Sequence, residues 1–252
     1  MAVNAQMYLI VCPLVFLASV VDSIGGGGGL ISLPAYLLAG LPAHMASGTN
    51  KFSACMGTAL ATARFFKSGV ILLKPALAAA CLALPTSYLG AWAQCLTPEY
   101  YVRVIMLVAI PIVAFLTLIR RDTREKNAPV TAKTIWICMG VGAVLGFYDG
   151  FFGPGMGTFL ILAFIWLAGM QAVSASGSAK VVNLASNLAA LVSFAVQGQI
   201  LYQLAIPAAI CSIAGGYIGA SLALKVGARL VRFVMVAVLA LVIVKLAADM
   251  FA

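Results

Sequence analysis

Residues 7–30, MYLIVCPLVFLASVVDSIGGGGGL, join an apolar run to five consecutive glycines. The run over 7–24 approaches the roughly 20 apolar residues that a helix needs to cross a bilayer. The glycines that follow resist helix formation, because each costs about 1 kcal/mol relative to alanine inside a helix. The stretch therefore predicts a membrane helix that breaks at its glycine end.

The composition of the whole chain extends this prediction to all of it. The 252 residues are 64% hydrophobic and 8% charged, whereas soluble domains are about 45–50% apolar and about 25% charged. We expect an all-α integral membrane protein that crosses the cell (inner) membrane several times. Residues 1–6 lack the basic leader of a signal peptide, so the first apolar run is interpreted as a retained helix.

The charges and cysteines narrow the range of partners. The net charge of +9 fits the enrichment of Lys and Arg in cytoplasmic loops, and we expect the lipid bilayer as a partner and no nucleic acid. None of the six cysteines forms a C-x-x-C pair, so neither a metal nor another cofactor is expected. The oligomeric state stays open.

Ten apolar segments can be marked, and two of them are short. An 11-residue helix extends about 17 Å, roughly half of a 30 Å hydrocarbon core, so the short segments either span incompletely or re-enter. The only hydrophilic linker, RRDTREKNAPVTAK, lies near the middle of the chain. The segments are 7–24, 30–40, 44–66, 71–94, 100–119, 134–151, 157–169, 172–197, 203–224 and 229–250.

The two halves of the chain resemble each other. Shifting the sequence by 129 positions, the separation of Lys51 and Lys180, aligns several charged, glycine and aromatic residues without a gap. We therefore expect two repeats of about five segments, an N-terminal transmembrane repeat over 1–119 and a C-terminal one over 134–252, joined by a basic cytoplasmic linker over 120–133. The aligned residues include Ala46, Ser47 and Gly48 with Ala175, Ser176 and Gly177, Tyr88 with Tyr217, and Arg103 with Arg232.

Basic loops alternate between the repeats. Arg64, Lys67 and Lys74 flank the loop after the third segment of the first half, and the matching loop of the second half has no basic residue. Lys225 and Arg229 precede the last segment of the second half, where the first half has none. Because basic loops face the cytoplasm, this alternation predicts inverted repeats with both termini outside.

Glycine clusters follow Asp22 and Asp149 in the two halves. Irregular backbone at membrane depth persists only where protein or a watery cavity covers it, and a broken helix presents N–H groups that suit an anion. The alternative is a tight helix contact made by small residues; a nucleotide-binding loop lacks the strand and helix it would need. The candidate anion contacts are Gly26, Gly27, Gly28, Gly153 and Gly155.

Two lysines lie deep in apolar segments. Lys51 and Lys180 are about nine residues, or about 13 Å, into their helices, and intramembrane charges usually mark a transport pathway. Inverted symmetry would bring both into one cage for an anion, made asymmetric because Ser178-Ala179 replaces Thr49-Asn50. The alternatives are pairing with Asp22 and Asp149, or snorkelling to an interface. The proposed cage comprises Lys51, Lys180, Asn50, Thr49, Ser47, Ser176 and Ser178.

Three of these stretches carry a family resemblance. The glycine run after Asp22, the box Ala46–Lys51 and the stretch GFYDGFFGP resemble the TauE/SafE-type family of sulfite exporter-like transporters, over nearly the whole chain. The resemblance implies a polytopic carrier of sulfur-containing anions such as sulfite or sulfonates. It indicates the transport class better than the cargo, and it leaves the direction of transport open.

The sequence thus predicts secondary transport of a small, sulfur-containing anion, with a coupling proton or ion. Asp22, Asp149 and His44 are the candidates for proton coupling, since histidine titrates near neutral pH and a carboxylate can carry a proton. The alternatives are an interfacial role for His44 and capping of backbone N–H groups by the aspartates. A passive anion channel is a second hypothesis. An intramembrane enzyme is disfavoured, because the single histidine has no evident catalytic partner.

Overall fold

The computed structural model describes residues 3–118 and 130–226, and these ranges are built from helices joined by short turns. The all-α prediction is therefore confirmed for the described chain. The last predicted segment, Arg232 and most of the basic linker lie outside it. The helices are α1 (Ala5–Gly25), α2 (Gly29–Leu38), α3 (Ala43–Lys67), α4 (Leu73–Leu96), α5 (Glu99–Leu118), α6 (Ala132–Phe151), α7 (Met156–Trp166), α8 (Ala172–Val196) and α9 (Tyr202–Val226).

Five of these helices, α1, α4, α6, α8 and α9, are long and apolar enough to cross a membrane. Large apolar side chains such as Trp92, Val192 and Ile210 are exposed on them. Such surface is unfavourable in water but is what lipid tails contact. The chain is a multi-pass membrane protein.

The glycine clusters predict non-helical breaks over 25–29 and 153–157; both clusters do interrupt a helix, but over shorter stretches. The first break is confined to 26–28: Gly26 donates to the carbonyl of Asp22 at 2.8 Å and ends α1, while Gly25 and Gly29 are helical. Gly26 and Gly27 have φ of 65° and 139°, which favours glycine over other residues. The second break covers 152–155, and Gly157 is already inside α7.

The first break packs against the start of α7, just after the second break. A Cβ atom added to Gly26 would collide with the backbone of Gly157 and Thr158. The Thr158 hydroxyl donates to the carbonyl of Gly25 at 2.9 Å and also to that of Gly26. At Gly26, therefore, the close helix contact that the sequence left as an alternative is what the structure shows.

Helix packing recurs in corresponding pairs. With α1 matched to α6, α3 to α8 and α4 to α9, the contact of α1 with α9 corresponds to that of α6 with α4, and α3–α9 corresponds to α8–α4. Glycines make these contacts close, because a Cβ at Gly142 or Gly150 would meet backbone of α4, and one at Gly219 would meet backbone of α1. The central helices α3 and α8 contact each other and carry the two lysines. The inverted orientation of the halves stays a prediction.

Candidate functional site

A cavity of about 50 Å³ lies between the two helix breaks and the central helices. It exceeds the roughly 10–15 Å³ that a single water molecule requires. Its walls are formed by α1, α2, α3, α6, α7, α8 and α9 together with the breaks. Its polar lining comprises Ser19, Asp22, Ser32, Asn50, Lys51, Ser53, Thr58, Asp149, Asn183, Asn187 and Ser212.

Lys51 reaches this cavity from α3 and pairs with a carboxylate of the other half. Its Nζ lies 2.8 Å from Oδ1 of Asp149 and 2.9 Å from Oδ1 of Asn187. The side chains of Lys51 and Asp149 are only 6% and 3% exposed. Oδ2 of Asp149 accepts a hydrogen bond from the hydroxyl of Ser186 at 2.7 Å. The buried charge is thus neutralised by an ion pair and a polar network.

Lys180, on α8, forms the corresponding ion pair with Asp22 of α1. Its Nζ lies 2.6 Å from Oδ2 of Asp22 and also donates to the Asp22 backbone carbonyl. Oδ1 of Asp22 accepts from the amides of Gly27 and Gly28 at 3.2 and 3.3 Å. Asp22 therefore caps the first break, as the alternative interpretation allowed, and these two amides are occupied. Lys180 does not line the cavity.

The two ion pairs cross between the halves. Each lysine binds the aspartate of the other half of the chain, which is the pairing that the sequence left open as the alternative to an anion cage. A lone charge at such depth is strongly disfavoured, and an opposite charge with further hydrogen bonds offsets that cost. Anion binding by these lysines stays a prediction.

The predicted hydroxyls lie away from the cavity lining. Thr49 Oγ1 accepts from the amide of Leu201 at 3.1 Å, and Ser178 Oγ accepts from that of Leu72 at 3.2 Å. These bonds are related by the same offset of 129 positions, and each connects a central helix to the start of a helix of the other half. Ser47 accepts from Nε2 of Gln94 at 3.0 Å, and Ser176 is half-buried. Thr49, Ser178 and Ser47 thus bind neighbouring elements.

The asparagines of the cavity include two that sequence reasoning missed. Asn50, which it identified, lines the cavity, and its buried Oδ1 has no hydrogen-bond partner among the described residues. Asn183 and Asn187 were missed, and Asn187 Nδ2 donates to Oδ1 of Asn183 at 3.3 Å. A detectable signal was present: two side-chain amides one helical turn apart, following Lys180 on the same helix.

The glycines divide into two groups. Gly27, Gly28, Gly153 and Gly155 line the cavity as predicted for the breaks, while Gly26 packs against α7 instead. A Cβ at Gly153 would lie 3.4 Å from Nζ of Lys51. The absence of a side chain there leaves room for the Lys51–Asp149 pair.

His44 has a partner that the sequence did not reveal. Its Nδ1 lies 3.1 Å from Oε2 of Glu99, and Glu99 also accepts from the amide of Ala43 at the start of α3. The expectation of an unpartnered histidine is wrong, because α5 brings a distant carboxylate to the N-terminus of α3. Neither His44 nor Glu99 lines the cavity.

Comparisons with known proteins bear on the function of this cavity. The chain is 30% identical to "Probable membrane transporter protein ORF9" of Sinorhizobium sp over 93% of this chain and 90% of that protein. It is 31% identical to "Probable membrane transporter protein YfcA" of Escherichia coli strain K12, over 92% and 87%. A "Probable membrane transporter protein" of Haemophilus influenzae is 34% identical over 86% and 85%.

The family comparison covers nearly the whole chain. No solved structure matches this chain significantly. The family described as "Sulfite exporter TauE/SafE" matches residues 11–246, which include both glycine breaks, both lysines and both aspartates. The chain belongs to the sulfite exporter TauE/SafE family of membrane transporters.

Proposed function

We propose that this protein is a secondary transporter of a small, sulfur-containing anion, such as sulfite or a sulfonate, in the cell's inner membrane. The observation that carries the proposal is the position of Lys51. A nearly buried ammonium group lines a polar cavity between two broken helices, in a chain whose relatives are named membrane transporters. Intramembrane charges at such positions usually serve a transported ion.

The chemistry around Lys51 suits an oxyanion. An ammonium group has three N–H donors, and the described contacts of Lys51 Nζ use two of them, with Asp149 and Asn187. Asn50 and Asn183 add amide groups at the cavity wall. Charge-assisted hydrogen bonds from an ammonium to an oxyanion are shorter and stronger than neutral ones. The family description supports a sulfur oxyanion as the cargo.

The two-fold arrangement supports alternating access. Inverted-repeat carriers place their sites near the bilayer midplane at the interface of the repeats. Here the cavity receives groups from both halves, and the crossed ion pairs join them. We propose that the halves are inverted repeats and that their relative movement opens the cavity to one side at a time.

The test is a binding and transport assay on the purified full chain. Its melting temperature is measured against sulfite, sulfate, thiosulfate and methanesulfonate, with chloride as the reference anion. Reconstituted vesicles are then loaded with the anion that raises the melting temperature most. A carrier accelerates uptake of labelled anion when unlabelled anion is present inside. Uptake without such acceleration would indicate a channel, and no stabilisation by any of the anions would contradict the proposal.

A further inference from the structure

We propose that the Lys51–Asp149 pair is exchangeable and couples the anion to a proton, whereas the Lys180–Asp22 pair is a structural clamp. The entering anion takes the place of the Asp149 carboxylate on Lys51, and Asp149 then binds one proton. This inference rests on the proposed function, because it names the coupling ion of the same site. It assigns different roles to two pairs that occupy equivalent positions in the repeats.

The first difference between the pairs is the access of the lysine. Lys51 lines the cavity, but Lys180, 2% exposed, lies behind Asp22. An anion in the cavity therefore meets the ammonium group of Lys51 and not that of Lys180. If exposure alone decided which carboxylate takes the proton, it would be Asp22, whose side chain is 19% exposed, against 3% for Asp149. The hydrogen-bond partners of the two carboxylates decide between them.

The partners of Asp22 cannot adapt to a protonated carboxyl group. Its Oδ1 accepts from two backbone amides, those of Gly27 and Gly28, and its Oδ2 accepts from Lys180. Backbone amides only donate. A proton on either oxygen of Asp22 would face a group that can only donate. The hydrogen bond at that oxygen would be lost, and the end of α1 would be released. The ionised form of Asp22 is therefore part of the break itself.

The partner of Asp149 can adapt. Ser186 Oγ donates to Asp149 Oδ2 at 2.7 Å and also lies 3.1 Å from the carbonyl of Asn183. A hydroxyl both donates and accepts. When Asp149 carries a proton on Oδ2, it can donate to Ser186, whose own hydrogen then points to Asn183. The hydrogen bond between Asp149 Oδ2 and Ser186 Oγ is therefore kept in both protonation states, with its direction reversed.

The charges balance in this exchange when the anion carries a single charge. Lys51 stays an ammonium throughout, first opposite the carboxylate and then opposite the anion. One anion and one proton enter together, and the proton resides on Asp149 while the anion occupies Lys51. Without protonation, the buried carboxylate would lose its counter-charge and repel the anion, which is costly at such burial. The proton is thus required by the displacement.

Other titratable groups near Asp149 do not replace it as the acceptor. Lys51 and Cys55 face it from α3, Tyr148 is its neighbour on α6, and Asp22 lies across the cavity. Of these, only Asp22 is a second carboxylate, and its partners are fixed. The polar setting of Asp149 is also absent around Asp22: at the offset of 129, Ser186 corresponds to Gly57 and Asn183 to Ala54.

The test measures protons taken up when the purified chain binds thiosulfate or methanesulfonate, whose charges do not change near neutral pH. A pH indicator in weakly buffered solution should report about one proton per bound anion, so that the dissociation constant rises about tenfold per unit increase in pH. Infrared difference spectra should show a new protonated carboxyl band. Asp149→Asn should bind the anion without proton uptake. Glu99→Gln, a matched loss of a carboxylate outside the cavity, should keep the uptake.

Each other outcome has a defined meaning. Anion binding without proton uptake or a carboxyl band in the unchanged chain would overturn the exchange and leave the proposed function intact. Loss of uptake in Glu99→Gln would place coupling at the His44–Glu99 pair and also overturn it. If none of the probe anions binds, both the exchange and the proposed function fail. The measurements on the unchanged chain decide the matter even where Asp149→Asn does not fold.

Discussion

Lys51 on α3 and Asp149 on α6 lie 2.8 Å apart at a cavity that both halves of the chain form. The reciprocal pair, Lys180 and Asp22, is equally close but lies at the end of α1 and holds the first glycine break. Pseudo-symmetry thus produces two similar ion pairs in two different settings. The Lys51–Asp149 pair can exchange partners, whereas the Lys180–Asp22 pair holds the backbone of the first break.

This difference predicts opposite effects of the two lysine substitutions. Lys51→Gln should weaken anion binding by about 1–3 kcal/mol, because a buried charge-assisted hydrogen bond is lost, with a modest loss of stability, because Asp149 can bind a proton when its counter-charge is removed. Lys180→Gln should instead destabilise the fold by about 3–5 kcal/mol, the usual effect of breaking a buried pair. Anion titration and thermal melting of both variants separate the roles. Unchanged anion affinity in both would contradict the site.

The second prediction concerns the close contact of the first break with the start of α7. Gly26→Ala and Gly40→Ala both place a side chain at positive φ, 65° and 86°, but only at Gly26 would the Cβ meet backbone. The shared conformational strain costs roughly 1–2 kcal/mol. Gly26→Ala should therefore lower the melting temperature much further than Gly40→Ala and abolish transport. Equal effects would show that the contact of Gly26 with α7 is unimportant.

The third prediction concerns the hydroxyls of Thr49 and Ser178. Thr49→Val and Ser178→Ala should each leave one backbone amide, of Leu201 or Leu72, without its partner. Both bonds are only partly buried, so each variant should lose about 1 kcal/mol of stability, the low end of the cost of an unsatisfied donor. Anion affinity should stay unchanged, because neither hydroxyl lines the cavity. Weakened binding with unchanged melting temperature would instead return these hydroxyls to the anion site.

The sequence predicted the helices and both breaks because long apolar runs and glycine clusters act locally. It also identified Lys51 and Lys180 and considered their aspartate partners, since an isolated buried charge is disfavoured wherever it lies. It did not identify Glu99 as the partner of His44. That contact depends on how α5 packs beside α3, which no local pattern encodes.

The side of each helix that faces the cavity was equally hard to predict. Ser47, Thr49 and Lys51 lie within five residues of sequence, and the sequence predicted all three as anion contacts. In the structure the first two bind neighbouring elements, and the amides of Asn183 and Asn187 reach the cavity instead. Spacing along a helix indicates which residues share a face, but the neighbouring helices determine what that face meets.

The last prediction tests the inverted orientation of the halves. Ser68 follows α3 and Gln197 follows α8, at equivalent repeat positions in loops whose glycines, Gly69 and Gly198, have open space around them. Single cysteines at Ser68 and Gln197, in a chain whose six native cysteines are replaced, should react from opposite sides with a membrane-impermeant maleimide. The basic residues near Ser68 predict that it faces the cytoplasm, so in intact cells only the Gln197→Cys variant should be labelled. Labelling Ser68→Cys in permeabilised cells is the control for reactivity.

If both cysteines react in intact cells, or both only after permeabilisation, the halves share one orientation. An alternating-access mechanism based on inverted repeats would then have to be abandoned.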